Sequence, residues 1–278
     1  MRISRRFVDI EHAEVHLRTA GEGAALPLVM LHASPGSSKQ LEPLLRALGA
    51  RRRVIAPDTL GNGDSSPPPG AAPEIEVFAE AHRAALDALG VTRFDVYGTH
   101  TGANMAIELA IRYPARVRRV ILDGVSNYTD AQRADMLRHH APPITLDDQG
   151  AYLGWIWHFV RDAYLFWPWY RREAAATRRV GVPAPEVLYD KVLEVLKAAR
   201  TYHLSYNAAI RYPKIERLPR ITQPTLVACA QSDMLLEYLD SVAALVPGAR
   251  RAVTPGTGQP ERLCETVRVF EDFLDEAE

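Results

Sequence analysis

Hydrophobic and polar positions alternate with a period of two along Arg6–Ile10 and Ala13–Arg18, the spacing of half-exposed strands paired antiparallel at a sheet edge. Beyond them come the continuous apolar run Pro27–Leu31 and the short apolar run Val54–Ala56, with further strands over Phe94–Tyr97, Val117–Leu122, Thr225–Ala230 and Arg250–Thr254. Runs of this kind fit strands covered on both faces, the condition of a parallel sheet. Helical spacing fills the intervals: Ser38–Leu48, Glu74–Leu89 with Gly90 as its stop, Ala103–Arg112 ended by Pro114, Glu237–Leu245 and Glu261–Asp275. From Asn127 to Arg217 the alternation gives way to helices rich in Trp, Tyr and His. The pattern predicts an α/β fold: a mostly parallel central sheet flanked by helices, with a core over 1–126 and 218–278 and an inserted helical cap over 127–217.

Composition narrows the function classes. The chain has 278 residues, 47% of them hydrophobic, enough for one large core. Charged residues make up 24% and nearly cancel, for a net charge of -1, so no electrostatic footprint of nucleic-acid or anionic-membrane binding is expected. Clusters such as Arg51-Arg52-Arg53 read as solvated faces. The two cysteines, Cys229 and Cys264, have neither disulfide-framework nor metal-ligand spacing, and no metal is expected. No apolar run approaches the roughly 20 residues of a bilayer span. No apolar stretch follows the charged Met1–Phe7, so a cytoplasmic protein is expected. A Gly-rich phosphate loop and a Cys/His cluster are both missing from the sequence, so no cofactor is expected. The expected partners are a small-molecule substrate and, at most, a second copy of the chain in a homodimer.

Four segments carry chemistry. Leu31-His32-Ala33-Ser34-Pro35-Gly36 follows a predicted strand, as does Ala56-Pro57-Asp58-Thr59-Leu60-Gly61-Asn62-Gly63-Asp64-Ser65. Gly98-Thr99-His100-Thr101-Gly102 joins a strand to an Ala-rich helix, and Gln231-Ser232-Asp233 follows the strand after the helical region. In that order and spacing they resemble the α/β-hydrolase superfamily, in its lidded branch, over nearly the whole chain outside the cap. The resemblance makes Gly98–Gly102 the nucleophile elbow, where two glycines relieve the crowding of a sharp strand-to-helix turn. It makes Asp233 the acid, with Asp123 as the alternative, since some relatives place the acid after the preceding strand. The oxyanion donors it implies are the backbone N–H groups of Thr101 and Ser34. His32 matches a position that supports the loop, with catalysis as the lesser reading, and Asp58 a loop organiser. The cis form of the Ser34–Pro35 bond is open.

The chain departs from the family at two of three triad positions. The central elbow residue is His100 where a serine is expected. Pro255-Gly256-Thr257-Gly258-Gln259-Pro260 puts Gln259 where the family has its histidine, and an amide cannot take a proton. The sharp reading is that the imidazole has moved: His100 projects into the cavity toward Asp233 or Gln259 and acts as a base. Trp155, His158 and His203 in the cap are candidates for the pocket wall, and the two histidines for a base supplied from the lid. His139-His140 is expected in a loop. The expected function is hydrolysis of a small, partly apolar ester or lactone. The alternatives are a cofactor-free lyase or oxygenase using His100 as base, and a non-catalytic binding protein.

Overall fold

The computed structural model describes residues 1–276. Eight strands form one sheet: β1 (Ile3–Ile10), β2 (Ala13–Ala20), β3 (Leu28–Leu31), β4 (Val54–Pro57), β5 (Phe94–Thr99), β6 (Val117–Asp123), β7 (Thr225–Ala230) and β8 (Arg250–Thr254). Their order is β1-β2-β4-β3-β5-β6-β7-β8, and every neighbouring pair is parallel except β1/β2 and β2/β4. The α/β expectation with a mostly parallel sheet therefore holds. The alternating edge pair is longer than its sequence pattern suggested. β1 and β2 pair from Ile3↔Ala20 to Ile10↔Ala13, because the backbone ladder continues where side-chain alternation fades.

The unbroken apolar runs are buried on both faces. In β3, Val29 and Leu31 join one hydrophobic cluster while Leu28 and Met30 join the other. The first face is covered by α2 (Ile75–Ala88) and α3 (Thr101–Arg112), through residues such as Phe78 and Met105. The second is covered by α1 (Glu42–Leu48) and, at the end of the chain, the helix Pro260–Leu274, through Leu45 and Phe270. The predicted helix Ser38–Leu48 is split: Ser38–Leu41 is a 3₁₀ turn, and α1 restarts with Pro43 in its first turn. Proline lacks an N–H and fixes its φ, so it is tolerated there and not further in. Glu237–Leu245 likewise reduces to a 3₁₀ turn and the short helix Leu239–Ala243.

Between β6 and β7 the chain runs through α4 (Asp130–His139), α5 (Ala151–Leu165), α6 (Pro185–Lys197), α7 (Tyr202–Arg211) and α8 (Lys214–Arg217). This insertion has its own apolar cluster, including Ile156, Phe159, Trp169 and Tyr202. His139 and His140 are not in a loop. They end α4, the former as its last helical residue and the latter as its C-cap.

Two glycines make opposite demands. A Cβ on Gly102 would lie 2.2 Å from the carbonyl oxygen of Leu31, a backbone atom that cannot step aside. A Cβ on Gly154, exposed inside α5, would meet nothing within 4 Å. We expect Gly102→Ala to destabilise the fold by about 4 kcal/mol or more, or to prevent folding. Gly154→Ala should stabilise it by roughly 0.5–1 kcal/mol through helix propensity. Urea unfolding of the two variants beside the parent checks both signs.

Candidate active site

β5 ends in the middle of the sheet, and the chain reverses there into α3. His100 sits at the turn with φ 51 and ψ -111, and among the described residues it is the only non-glycine at positive φ. The turn closes because Gly98 and Gly102 have no side chains: a Cβ on Gly98 would lie 2.4 Å from the carbonyl oxygen of Gly102. The imidazole thus stands at the carboxyl end of the sheet, beside the N-terminus of α3.

From there the ring reaches Asp233, in the loop after β7. His100 Nε2 is 2.8 Å from Asp233 Oδ2. A carboxylate can only accept, so Nε2–H donates, and the tautomer is fixed. Asp233 is itself positioned by the backbone N–H of Leu235, which donates to Oδ1 at 2.8 Å. Nδ1, the other ring nitrogen, makes no hydrogen bond among the described residues, and 30% of the side-chain surface remains open. That open part faces the cavity described below, so the ring is walled by protein without being sealed.

The path between the two residues runs past Gly124, the residue after β6. With φ 69, it carries no side chain, and a Cβ there would lie 2.8 Å from both Cδ2 and Nε2 of the imidazole. The histidine occupies space that this glycine leaves empty. The carboxylate of Asp123, next to it, accepts a hydrogen bond from Tyr97 Oη at 2.7 Å and makes none to the His100 ring, although the Asp123 carbonyl accepts the His100 backbone N–H at 2.9 Å. Of the two acids, Asp233 is the one whose carboxylate contacts the ring, with Asp123 as a nearby charge.

The electrostatics follow. Burial pulls the His100 imidazole toward its neutral form, but the charge and hydrogen bond of Asp233, with Asp123 behind, outweigh it and raise the pKa above the ordinary 6.5. Burial pushes Asp233 up, and the His100 contact overrides this and holds the carboxyl below 3.8. Asp123 is raised, by burial first and by the repulsion of Asp233.

The dyad opens into a cavity of about 490 Å³ between the sheet and the insertion. Ser34 lines it, just before a cis Ser34–Pro35 bond, with its hydroxyl 2.7 Å from Ser205 Oγ. Trp167 and Tyr206 form part of the aromatic wall. His140 Nε2 lies 2.9 Å from Tyr206 Oη, and burial pushes its imidazole down to about 3, so it is neutral. Arg178, Lys191 and Glu194 supply charge. Of these lining groups, Tyr97, Arg178, Lys191 and Glu194 escaped the sequence reading.

Other expected site residues lie elsewhere. Gln259 is exposed at the N-cap of the C-terminal helix and makes no side-chain hydrogen bond, while Gly256 and Thr257 stand in the cavity wall instead. Trp155 stacks on Phe159 and meets Trp169 edge-on inside the insertion's own core. His158 is on the exposed face of α5. His203 packs edge-on against Tyr202, outside the wall of the main cavity. His32 is buried with both nitrogens committed: Nε2 accepts the N–H of Thr59 at 2.8 Å, so Nδ1–H donates to the carbonyl of Ala33 at 3.0 Å. It braces the loop that carries Ser34 and has no nitrogen left for substrate. Thr101 is the buried first residue of α3. Asp58 organises its loop, accepting the N–H groups of Ser38 and Asp64 and contacting His16.

A family model described as alpha/beta hydrolase fold matches residues 27–259. The chain belongs to that family. Among α/β-hydrolase relatives, it is 38% identical over 119 residues to the 2-hydroxymuconate semialdehyde hydrolase of Pseudomonas sp. (strain CF600), covering 42% of each chain. It is 36% identical over 132 residues to the 2-hydroxy-6-oxononadienedioate/2-hydroxy-6-oxononatrienedioate hydrolase 2 of Pseudomonas putida, covering 44% of this chain and 45% of the relative. The chain thus spans less than half the length of these curated relatives. Among solved α/β-hydrolase structures, the enol-lactonase from Burkholderia xenovorans LB400 superposes with a TM-score of 0.73 at 22% identity, over 98% of this chain and 100% of that one. At that identity the likeness speaks for the fold alone.

Two measurements test the dyad. The His100 ring should titrate above 6.5 by NMR in the parent, and lower in Asp233→Asn, where burial meets less opposing charge. In folding, raised His100 contributes stability that is full below 6.5 and lost as pH rises through its folded value. Lowered Asp233 contributes stability present above 3.8 and lost as pH falls. The pair therefore stabilises most between those values. Asp233→Asn should destabilise the protein more at about pH 5.5 than at about pH 8.5 in urea unfolding.

Proposed function

We propose that this chain is an α/β-hydrolase-fold enzyme that hydrolyses a small, partly apolar ester or lactone, with His100 as general base in place of the usual serine nucleophile. In this reading residues 127–217 form a cap over a core of 1–126 and 218–278. The observation that carries it is the 2.8 Å contact of His100 Nε2 with Asp233, with Nδ1 making no hydrogen bond among the described residues. An imidazole so held has a fixed tautomer, enhanced basicity and one free lone pair.

His100 Nδ1 takes a proton from a water molecule, and the water oxygen attacks the substrate carbonyl carbon. The oxyanion is received by the N–H groups of Thr101 and Ser34, with the positive end of the α3 dipole behind it. As the tetrahedral intermediate collapses, the imidazolium returns the proton to the departing oxygen, leaving a carboxylic acid and an alcohol or enol. Attack by water is preferred to attack by the ring, because an acyl-imidazole would itself need a further hydrolytic step. The relatives' names, hydrolases of 2-hydroxymuconate semialdehyde and of 2-hydroxy-6-oxononadienedioate, support a small carbonyl substrate.

The test is turnover of a panel of short aryl esters and lactones. His100→Ala should abolish it. Asp233→Asn should lower kcat/KM by about 10²- to 10³-fold. Gln259→Ala, altering an exposed cap residue, should change it less than about twofold. The parent's kcat/KM should rise with pH through a midpoint above 6.5, since the base must be neutral. Turnover that survives in His100→Ala sinks this mechanism, and no turnover in either protein favours a lyase, an oxygenase or a binding protein.

A further inference from the structure

The cavity has a second polar group that the hydrolytic reading does not use. Glu194 and Lys191 lie one turn apart on α6, and both line the cavity. Glu194 is only 7% exposed, and its Oε2 is sealed from solvent with no hydrogen-bond partner among the described residues. Lys191 makes one long contact, from Nζ to Gln40 Oε1 at 3.5 Å. Gln40 is held by its own Nε2, which donates to the carbonyl of Ala33 at 2.8 Å, and its amide packs over Gly36. Although the two charges are close enough to influence each other, they form no ion pair.

A buried carboxylate without a partner is unfavourable, and such groups are ordinarily paired. Lys191 and Glu194 both line the cavity, so a ligand bound there is placed to supply the partner that each lacks. The two charges constrain its chemistry. A carboxylate would suit Lys191 and be repelled by Glu194, and an ammonium would do the reverse. A neutral group that accepts from one and donates to the other suits both.

This pair also has a definite place relative to the dyad. Gln40 follows β3, the neighbour of β5 on one side, whereas Asp233 follows β7, two strands from β5 on the other. At about 4.8 Å per strand, the two polar groups flank the elbow from opposite sides. We propose that Glu194 and Lys191 form a specificity subsite for a hydroxyl or carboxamide carried by the substrate at a distance from its reacting carbonyl. The proposal rests on the carbonyl-hydrolase reading for the other end of the ligand.

Two aryl ketones test it without any turnover: 4-(4-hydroxyphenyl)-2-butanone and 4-phenyl-2-butanone, which differ by one hydroxyl and have no ester bond to cleave. Ligand-observed NMR titration of the full chain gives a Kd for each. The parent should bind the hydroxylated ketone about tenfold or more tightly than the plain one. That preference should vanish in Glu194→Leu and in Lys191→Met, while the plain ketone still binds and so reports an intact cavity. Asp233→Asn should keep the preference. Equal affinity for the two ketones, a preference that survives in both α6 variants, or no binding of either at millimolar concentration overturns the subsite. Preference together with absent ester turnover would leave the subsite standing and remove the hydrolase reading. His100-dependent turnover without preference would do the opposite.

Discussion

A carboxylate at the end of β7 and an imidazole at the end of β5 can meet only across the strand between them. The contact of His100 with Asp233 therefore depends on what β6 presents as it leaves the sheet, and it presents Gly124. The positive φ of His100, the glycines on either side of the elbow and the bare backbone at Gly124 combine to bring one nitrogen within 2.8 Å of a carboxylate. The raised basicity, the fixed tautomer and the free Nδ1 all descend from that one distance.

Much of this could be read from the sequence, for physical reasons that differ from element to element. Strand β3 announces itself because burial on both faces leaves no polar position, and β5, β6 and β7 stay mostly apolar despite Asp95, Arg118 and Arg119. The elbow shows because its crowding demands glycine at Gly98 and Gly102. Asp233 is legible from its place just after a buried strand. Gln259 misled because position in a loop says nothing about direction. After Gly256, at φ 89, the chain turns into a helix whose N-cap faces solvent. His158 and Trp155 misled differently: helical spacing separates the faces of α5 but does not say which one the sheet will cover.

What stayed hidden is long-range convergence. Tyr97 meets Asp123 across neighbouring strands, and Lys191 meets Gln40 across 151 positions of sequence. No local pattern marks α6 as a cavity wall, because its placement follows from how the insertion folds over the sheet. The glycine that clears a path for the imidazole was equally silent, since Asp123-Gly124 reads as an ordinary strand ending.

Gly124 has a further consequence for how such a site arises and travels. A histidine at the elbow and a bare backbone after β6 are a coupled trait. With any side chain at Gly124, the imidazole would be deflected from Asp233, and with serine at position 100 the glycine would face a void. The order of substitution is therefore constrained: the space must open before the larger residue can use it. Grafting this dyad onto another member of the fold would require both residues to be carried together.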